Sequence, residues 1–537
     1  MWRLQAKWLG QGNGHSLSRR LHQNKVGLDQ AVKIKPIVFF PPFVCFVLAL
    51  FQAFGHGKEF FGELSKVQDV LLSLLGNVFT WGTFLLLISC VVAYFSPLGK
   101  VRIGGEGAKP ILDKWRWFAV ALCTTVAVGV LFWGTAEPLF HYYQPSAWLK
   151  EESEQNKILF SLSSLFLHWS LTPYAIYTVP ALVFALMYYN AKKPFSLTAP
   201  LSPLFGDRLN GRAGELIDSI CLFSLVAGMS ASLGTGVLTL SGGIRELMHT
   251  SSSVWLLGGI LIAIVGAFVF AAVSGVTRGI RLLSEVNASV FVVLALLVFC
   301  VGPTGFILKN GFQSFVSYFT ELPSRSVYSG VNGVVDPWAK SWTLFYWCNW
   351  LAWAPVTALF LGRISYGYTV REVIITNLIL PSIFAIVWMA IFGGWALETD
   401  LKSSGEIFQI IQSQGAEAAL YALIGKLGIA SWLKIICIVL VLVTAFLAYV
   451  TSAEANTSAM AAMSTKGISP ENPEAPTSIK ILWGICIGLT SGVMVAGQGI
   501  EGIKTLSVLG GVPSLFLILL VLGSLLKLIF QTKKTLS

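Results

Sequence analysis

The chain of 537 residues is 55% hydrophobic and only 12% charged, with a formal net charge of +11 and a mean hydropathy of +0.72. Soluble domains carry about 25% charged residues, and half that density cannot clothe a water-facing surface of this size. The composition excludes an ordinary soluble enzyme, a disordered chain and a nucleic-acid binder, and it places most of the surface in a lipid bilayer.

Residues 1–36 hold Arg3, Lys7, Arg19, Arg20, Lys25, Lys33 and Lys35 against one acid, Asp29. They contain no apolar core of a cleavable signal peptide and read as a basic cytoplasmic arm. Twelve apolar runs follow, at 37–55, 70–96, 117–141, 158–189, 215–243, 254–275, 287–308, 342–362, 373–396, 431–453, 478–498 and 506–530. A membrane-crossing helix needs about 20 such residues. The runs are too long and continuous for barrel strands. The expected fold is an all-α polytopic membrane protein with 12 transmembrane helices over residues 37–531, and 532–537 form a short tail. Lys100, Arg102, Lys109, Lys114 and Arg116, then Lys192, Lys193, Arg208 and Arg212, then Arg363 and Arg371, and finally Lys533 and Lys534 all fall on the side of the N-terminus. The acid-rich stretches 150–157 and 398–417 fall on the other. Positive charge marks the cytoplasmic side, so both termini are expected inside. Cys45, Cys90, Cys123, Cys221, Cys300, Cys348, Cys437 and Cys486 lie in apolar runs without paired spacing, as small buried residues rather than disulfide or zinc ligands.

Several runs carry more than hydrophobicity. In the third, "CTTVAVGVLFWGTAEPLFHYY", Gly129, Gly134 and Pro138 loosen the helix and Glu137 is an ionisable residue beside apolar sequence, a hint of function, although an acid near the outer interface reads the same way. In the fourth, Trp169, Tyr174 and Tyr177 accompany Pro173, which is expected to break the helix. In the eighth, Trp342, Tyr346, Trp347, Trp350 and Trp353 would span about 16 Å of helix, deeper than an interfacial aromatic belt. Two such clusters would form an aromatic box for a bulky cation; ordinary core packing is the alternative. In the tenth, Thr451, Ser452, Thr457 and Ser458 offer hydroxyls suited to sodium or to close helix packing. The loop 310–340 has an amphipathic start, and 464–477 is polar and proline-rich. No His-Glu-x-x-His or Gly-x-Ser-x-Gly pattern suggests an enzyme.

Six segments, "LFWGTAEPLFHY", "HWSLTPYAIY", "PLFGDRLNGRAGELID", "GIRLLSEVN", "SWTLFYWCNWLAWAPVTALFLGRISYGYTVRE" and "FLAYVTSAEANTS", resemble the betaine/choline/carnitine transporter family in content and order. The resemblance implies secondary transport of quaternary ammonium compounds and a homotrimer in the cell membrane. It also implies a five-plus-five inverted-repeat fold resembling the amino-acid/sodium symporters, with two extra N-terminal helices and repeats near 117–309 and 342–531. It places the substrate box on Trp169, Tyr174, Tyr177 and Trp350, with Trp347 and Trp353 along the path. A sodium site is implied at Thr451 and Ser452 with backbone near Cys123 and Val126, and sodium is the expected coupling ion, with no other cofactor. The family's Gly-x-Gly-x-Gly is reduced here to Thr125, Ala127 and Gly129, Asn349 replaces a tryptophan, and Met229 stands where some sodium-coupled members have a hydroxyl. A proton-coupled symporter, an ion-independent exchanger and a membrane osmosensor without net transport are the rival readings.

Overall fold

The computed structural model describes residues 34–125, 129–209, 211–274, 277–331, 334–467 and 475–536, without the side chains of 123–124, 207, 274–288, 331, 455 and 532–536. The described chain is overwhelmingly helical. Its principal helices are α1 (Pro36–Phe95), α2 (Lys114–Thr125), α3 (Gly129–Tyr143), α4 (Glu154–Trp169), α5 (Leu171–Ala185), α6 (Arg212–Met248) and α7 (Val254–Ser274), followed by α8 (Thr277–Val301), α9 (Thr304–Ser326), α10 (Phe345–Ile364), α11 (Leu380–Lys402), α12 (Ser431–Met463), α13 (Thr477–Gln498) and α14 (Ile500–Leu536). The one sheet among the described residues is a short antiparallel pair, β1 (Gly330–Val331) and β2 (Val334–Val335).

Nine helices among the described residues are long and apolar enough to cross a membrane, or ten if Ser289–Val301 and Thr304–Ser326 are one bent span. The chain is therefore an all-α polytopic membrane protein. The expected boundaries differ from the observed ones in three places. The first two runs lie on the single 60-residue α1, whose one non-helical residue is His56 (φ −135°, ψ 39°). The intervening segment contains no proline, so the helix resumes directly. The third run falls on α2 and α3, 12 and 15 residues long, on either side of residues 126–128, which lie outside the described residues. The amphipathic start of the 310–340 loop belongs to α9, which turns 108° from Ser289–Val301. Gly302 and Pro303 make the corner, and Pro303 has non-helical backbone (ψ 66°).

The outer face of the bundle is apolar. Phe51, Phe95, Trp255, Ile262 and Phe270 are all strongly exposed, an arrangement that hydrocarbon but not water tolerates. Helices α3, α4, α5 and α10 are largely buried, and α14 lies against α10 so closely that a Cβ at Gly511 would stand 2.4 Å from the Cα of Cys348. Between α4 and α5 the backbone breaks at Ser170 (φ −121°, ψ −114°). Pro173, three residues later, has no N–H for the carbonyl of Trp169, and its ring crowds that carbonyl. The break therefore falls beside Trp169, at the centre of the bundle.

Candidate functional site

The four residues of the proposed box converge on Trp350. Its ring meets that of Trp169 at 5.4 Å and 86°, that of Tyr177 at 5.6 Å and 76°, and that of Tyr174 at 6.4 Å and 42°. All four are buried, and the first two contacts have the edge-to-face geometry that aromatic quadrupoles prefer. The Trp350 indole N–H donates to the carbonyl of His168 at 3.0 Å, beside the break at Ser170. Two neighbours from the third run press on the box. A Cβ at Gly129 would lie 2.9 Å from the Trp169 ring, so only glycine admits this approach. The hydroxyl of Thr125, beside Tyr174, donates to the carbonyl of Ala121 at 3.0 Å.

Trp347 and Trp353 do not join these rings. Steps of three residues fall 60° short of a full turn of a 3.6-residue helix, so residues 347 and 353 point about 120° apart. Trp347 is fully buried and packs edge-on to His168 at 6.1 Å. Trp353 lies against α6, where a Cβ at Gly228 would be 3.3 Å from its indole nitrogen. Asn349 likewise turns from the box and accepts a hydrogen bond from Ser507 on α14 at 3.1 Å. The Thr451 hydroxyl donates to its own helix, at Leu447 and Ala448 (2.8 and 3.1 Å), and the Ser452 carbonyl accepts from Asn456 at 2.9 Å. Met229 is buried, its carbonyl bonded to the Tyr449 hydroxyl at 3.1 Å. Cys123 is on α2, but its side chain, like all of Val126 and Ala127, is outside the described residues.

The interfacial alternative for Glu137 is overturned. Glu137 is fully buried and its carboxylate accepts four hydrogen bonds. His141 (3.0 Å) and His168 (2.7 Å) reach Oε1, and the Trp169 indole N–H (3.0 Å) and the Tyr346 hydroxyl (2.5 Å) reach Oε2. A second layer adds Thr343, whose hydroxyl lies 3.0 Å from His168 Nε2, and Trp338, whose indole N–H donates to His141 Nδ1 at 3.2 Å. His141, Trp338 and Thr343 were not singled out from sequence, and Tyr346 only as one of the aromatic run of the eighth span. The four-residue spacing of Glu137 and His141 on one helix face was the available signal.

Glu137, His141 and His168 have the composition of a metal site, with ligand atoms within 4.8 Å of one another. The protons argue otherwise. An indole N–H can only donate, so Trp338 claims the lone pair of His141 Nδ1. Neutral His141 then carries its proton on Nε2, facing the carboxylate. A metal there would need that nitrogen bare. The cluster is a hydrogen-bonded carboxylate centre.

A cavity lies at one end of the bundle, with a volume of about 880 Å³ and Trp133, Trp338, Trp342, Lys150, Glu501 and Lys504 among its walls. The Lys504 ammonium stands 4.8 Å over the Trp342 ring. Trp133 meets Tyr346 at 6.1 Å and Tyr346 meets Trp169 at 5.4 Å, so a ladder of rings connects the cavity to the box.

A polytopic helical bundle with an interrupted helix and an aromatic cluster at its centre has the architecture of a membrane transporter. The family model of the "BCCT, betaine/carnitine/choline family transporter" matches residues 36–534, and the chain belongs to that family, whose members are transporters and not enzymes. It is 29% identical to the glycine betaine transporter OpuD of Bacillus subtilis over 86% of this chain and 89% of that protein. It is 27% identical to an ectoine/hydroxyectoine transporter of Virgibacillus pantothenticus over 94% and 99%, and 28% identical to the osmo-dependent choline transporter BetT2 of Acinetobacter baylyi over 86% and 67%.

Proposed function

We propose that this protein is a secondary transporter that imports a quaternary ammonium osmolyte of the glycine betaine, choline or carnitine type, by sodium symport and alternating access. The convergence of Trp169, Tyr174 and Tyr177 on Trp350 carries the reading, because aromatic faces attract a trimethylammonium group without a direct acidic contact. The names of the relatives, betaine, choline and ectoine transporters, support the same substrate class. The scaffold of this proposal has twelve spans, ten of them in a five-plus-five inverted repeat, and assembles as a homotrimer in the cell membrane. With both termini cytoplasmic, the 880 Å³ cavity opens to the outside and the ladder from Trp133 to Trp169 is the inward path.

Sodium is the proposed coupling ion at Thr451 and Ser452, whose hydroxyls suit a hard cation, together with backbone near Cys123 and Val126. An inward membrane potential contributes about 2.3 kcal/mol per charge per 100 mV, more than the 1.4 kcal/mol of a tenfold substrate gradient. The test is uptake of labelled betaine, choline, carnitine and ectoine into proteoliposomes under a sodium gradient, a proton gradient, internal counter-substrate, or none. Accumulation driven by sodium alone is expected. Uptake that needs only internal substrate identifies an exchanger, and an absence of net uptake identifies a sensor.

A further inference from the structure

We propose that Glu137 is the counter-charge of the aromatic box and that His168 is its titratable partner, so that a cationic headgroup in the box and a proton on His168 are alternative ways of neutralising one buried carboxylate. The inference rests on the proposed box and adds an acid behind it. Glu137 does not enter the box. It stands 3.0 Å behind the Trp169 indole nitrogen, and an N–H donated to an anion pushes electron density onto the ring. The face that Trp169 offers a cation is then more negative than that of an isolated indole.

The hydrogen bonds leave one place for a proton. His141 is held neutral, because Trp338 donates to its Nδ1. The Trp169 and Tyr346 groups are donors to the carboxylate. His168 differs. Its Nδ1–H donates to Glu137 at 2.7 Å, and its Nε2 faces the Thr343 hydroxyl, which can donate to a neutral imidazole or accept from an imidazolium by a rotation about one bond. His168 therefore takes up a proton without losing a hydrogen bond.

The groups facing His168 come from every neighbouring helix. From α3 these are Glu137 and His141. From α10 it is Tyr346, whose ring stacks on the imidazole at 4.8 Å. From α9 it is Arg325, whose guanidinium donates to the Ser163 and Ser164 hydroxyls of α4 at 2.5 Å each. At the break before α5, the Ser170 hydroxyl bonds Tyr318 of α9 at 3.0 Å. Helix α11 packs on α4 through Gly393, against Leu162 and Leu165, and brings apolar surface.

The sign follows. With His168 neutral, the Glu137 charge is uncompensated and attracts a cation at the Trp169 face. With His168 protonated, the pair is neutral and the attraction fades. Affinity for a cation falls as pH falls, and by linkage binding a cation at low pH expels a proton. A proton bound here competes with the cationic substrate and is not a symported ion. Choline, with a net positive charge, feels the effect more than zwitterionic glycine betaine.

The experiment measures binding of choline and glycine betaine to the full chain in lipid nanodiscs at pH 8.0 and 5.5, by calorimetry in buffers of different ionisation enthalpy. Choline is expected to bind about tenfold more weakly at pH 5.5, with proton release on binding and a smaller change for glycine betaine. His168→Gln is expected to remove the pH dependence. Proton release by the unmodified protein tests the idea without a variant. Equal choline affinity at both pH values, or a wild-type pH slope in H168Q, overturns the counter-charge. If neither compound binds at either pH, the box itself is wrong. If binding is lost in Trp350→Ala yet ignores pH in the unmodified protein, the box stands and the counter-charge falls.

Discussion

The indole N–H of Trp169 and the Oε2 of Glu137 meet at 3.0 Å, which joins the aromatic box on α4 to a buried acid on α3. The carboxylate is held by four donors, and each donor left unsatisfied after its removal costs about 1–3 kcal/mol. Glu137→Ala is therefore expected to lower the thermal unfolding midpoint in detergent by several degrees. Glu137→Gln, which keeps an acceptor oxygen and the volume, loses less. Equal midpoints for the two variants would contradict this account of the cluster.

Gly129→Ala is expected to displace the Trp169 ring, because its new methyl would lie 2.9 Å away. Substrate affinity should fall about tenfold, as for an overpacked contact worth 1–3 kcal/mol. Gly134→Ala is the control on the same helix, since its nearest neighbour, the Trp388 indole nitrogen, stands at an ordinary 3.5 Å. Binding titrations followed by tryptophan fluorescence compare the two. Unchanged affinity in G129A would show that Trp169 need not hold its position.

Asn349→Ala removes the hydrogen bond to Ser507 between α10 and α14. The expected cost is about 1 kcal/mol of stability, read from thermal unfolding, with substrate affinity unchanged within about twofold. A selective loss of affinity without loss of stability would place Asn349 in the site after all.

Thr451→Ala tests the sodium proposal. Its hydroxyl already donates to Leu447 and Ala448, which leaves the oxygen lone pairs to face a cation. The variant should raise the sodium concentration for half-maximal uptake several-fold. An unchanged sodium dependence of uptake would remove Thr451 from the site.

Much of this was legible in the chain because membrane burial is written in composition. The apolar runs located the helices, since hydrocarbon demands about 20 residues in a row. They failed where an element depends on something other than hydrophobicity. The segment after His56 is polar yet helical, and the corner at Gly302–Pro303 is a local backbone event. Trp169, Tyr174, Tyr177 and Trp350 could be grouped because motif order carried them. Trp347 and Trp353, implied along the path, stand three residues either side of Trp350 and so 60° short of a full turn from it, against His168 and α6. Glu137 was conspicuous as an acid in apolar sequence, but its depth was not readable. Its partners His168, Trp169 and Tyr346 come from segments up to 209 residues away in sequence, and only the tertiary fold brings them together.

Gradient-driven uptake by the unmodified protein and by variants of Trp350 tests the central claim most directly. Labelled glycine betaine or choline is offered to proteoliposomes under an inward sodium gradient. Accumulation above equilibrium is expected for the unmodified protein. Trp350→Phe should weaken it mildly, through loss of the bond to the His168 carbonyl, and Trp350→Ala should reduce affinity severely. Equal transport by the unmodified protein and Trp350→Ala would contradict the account.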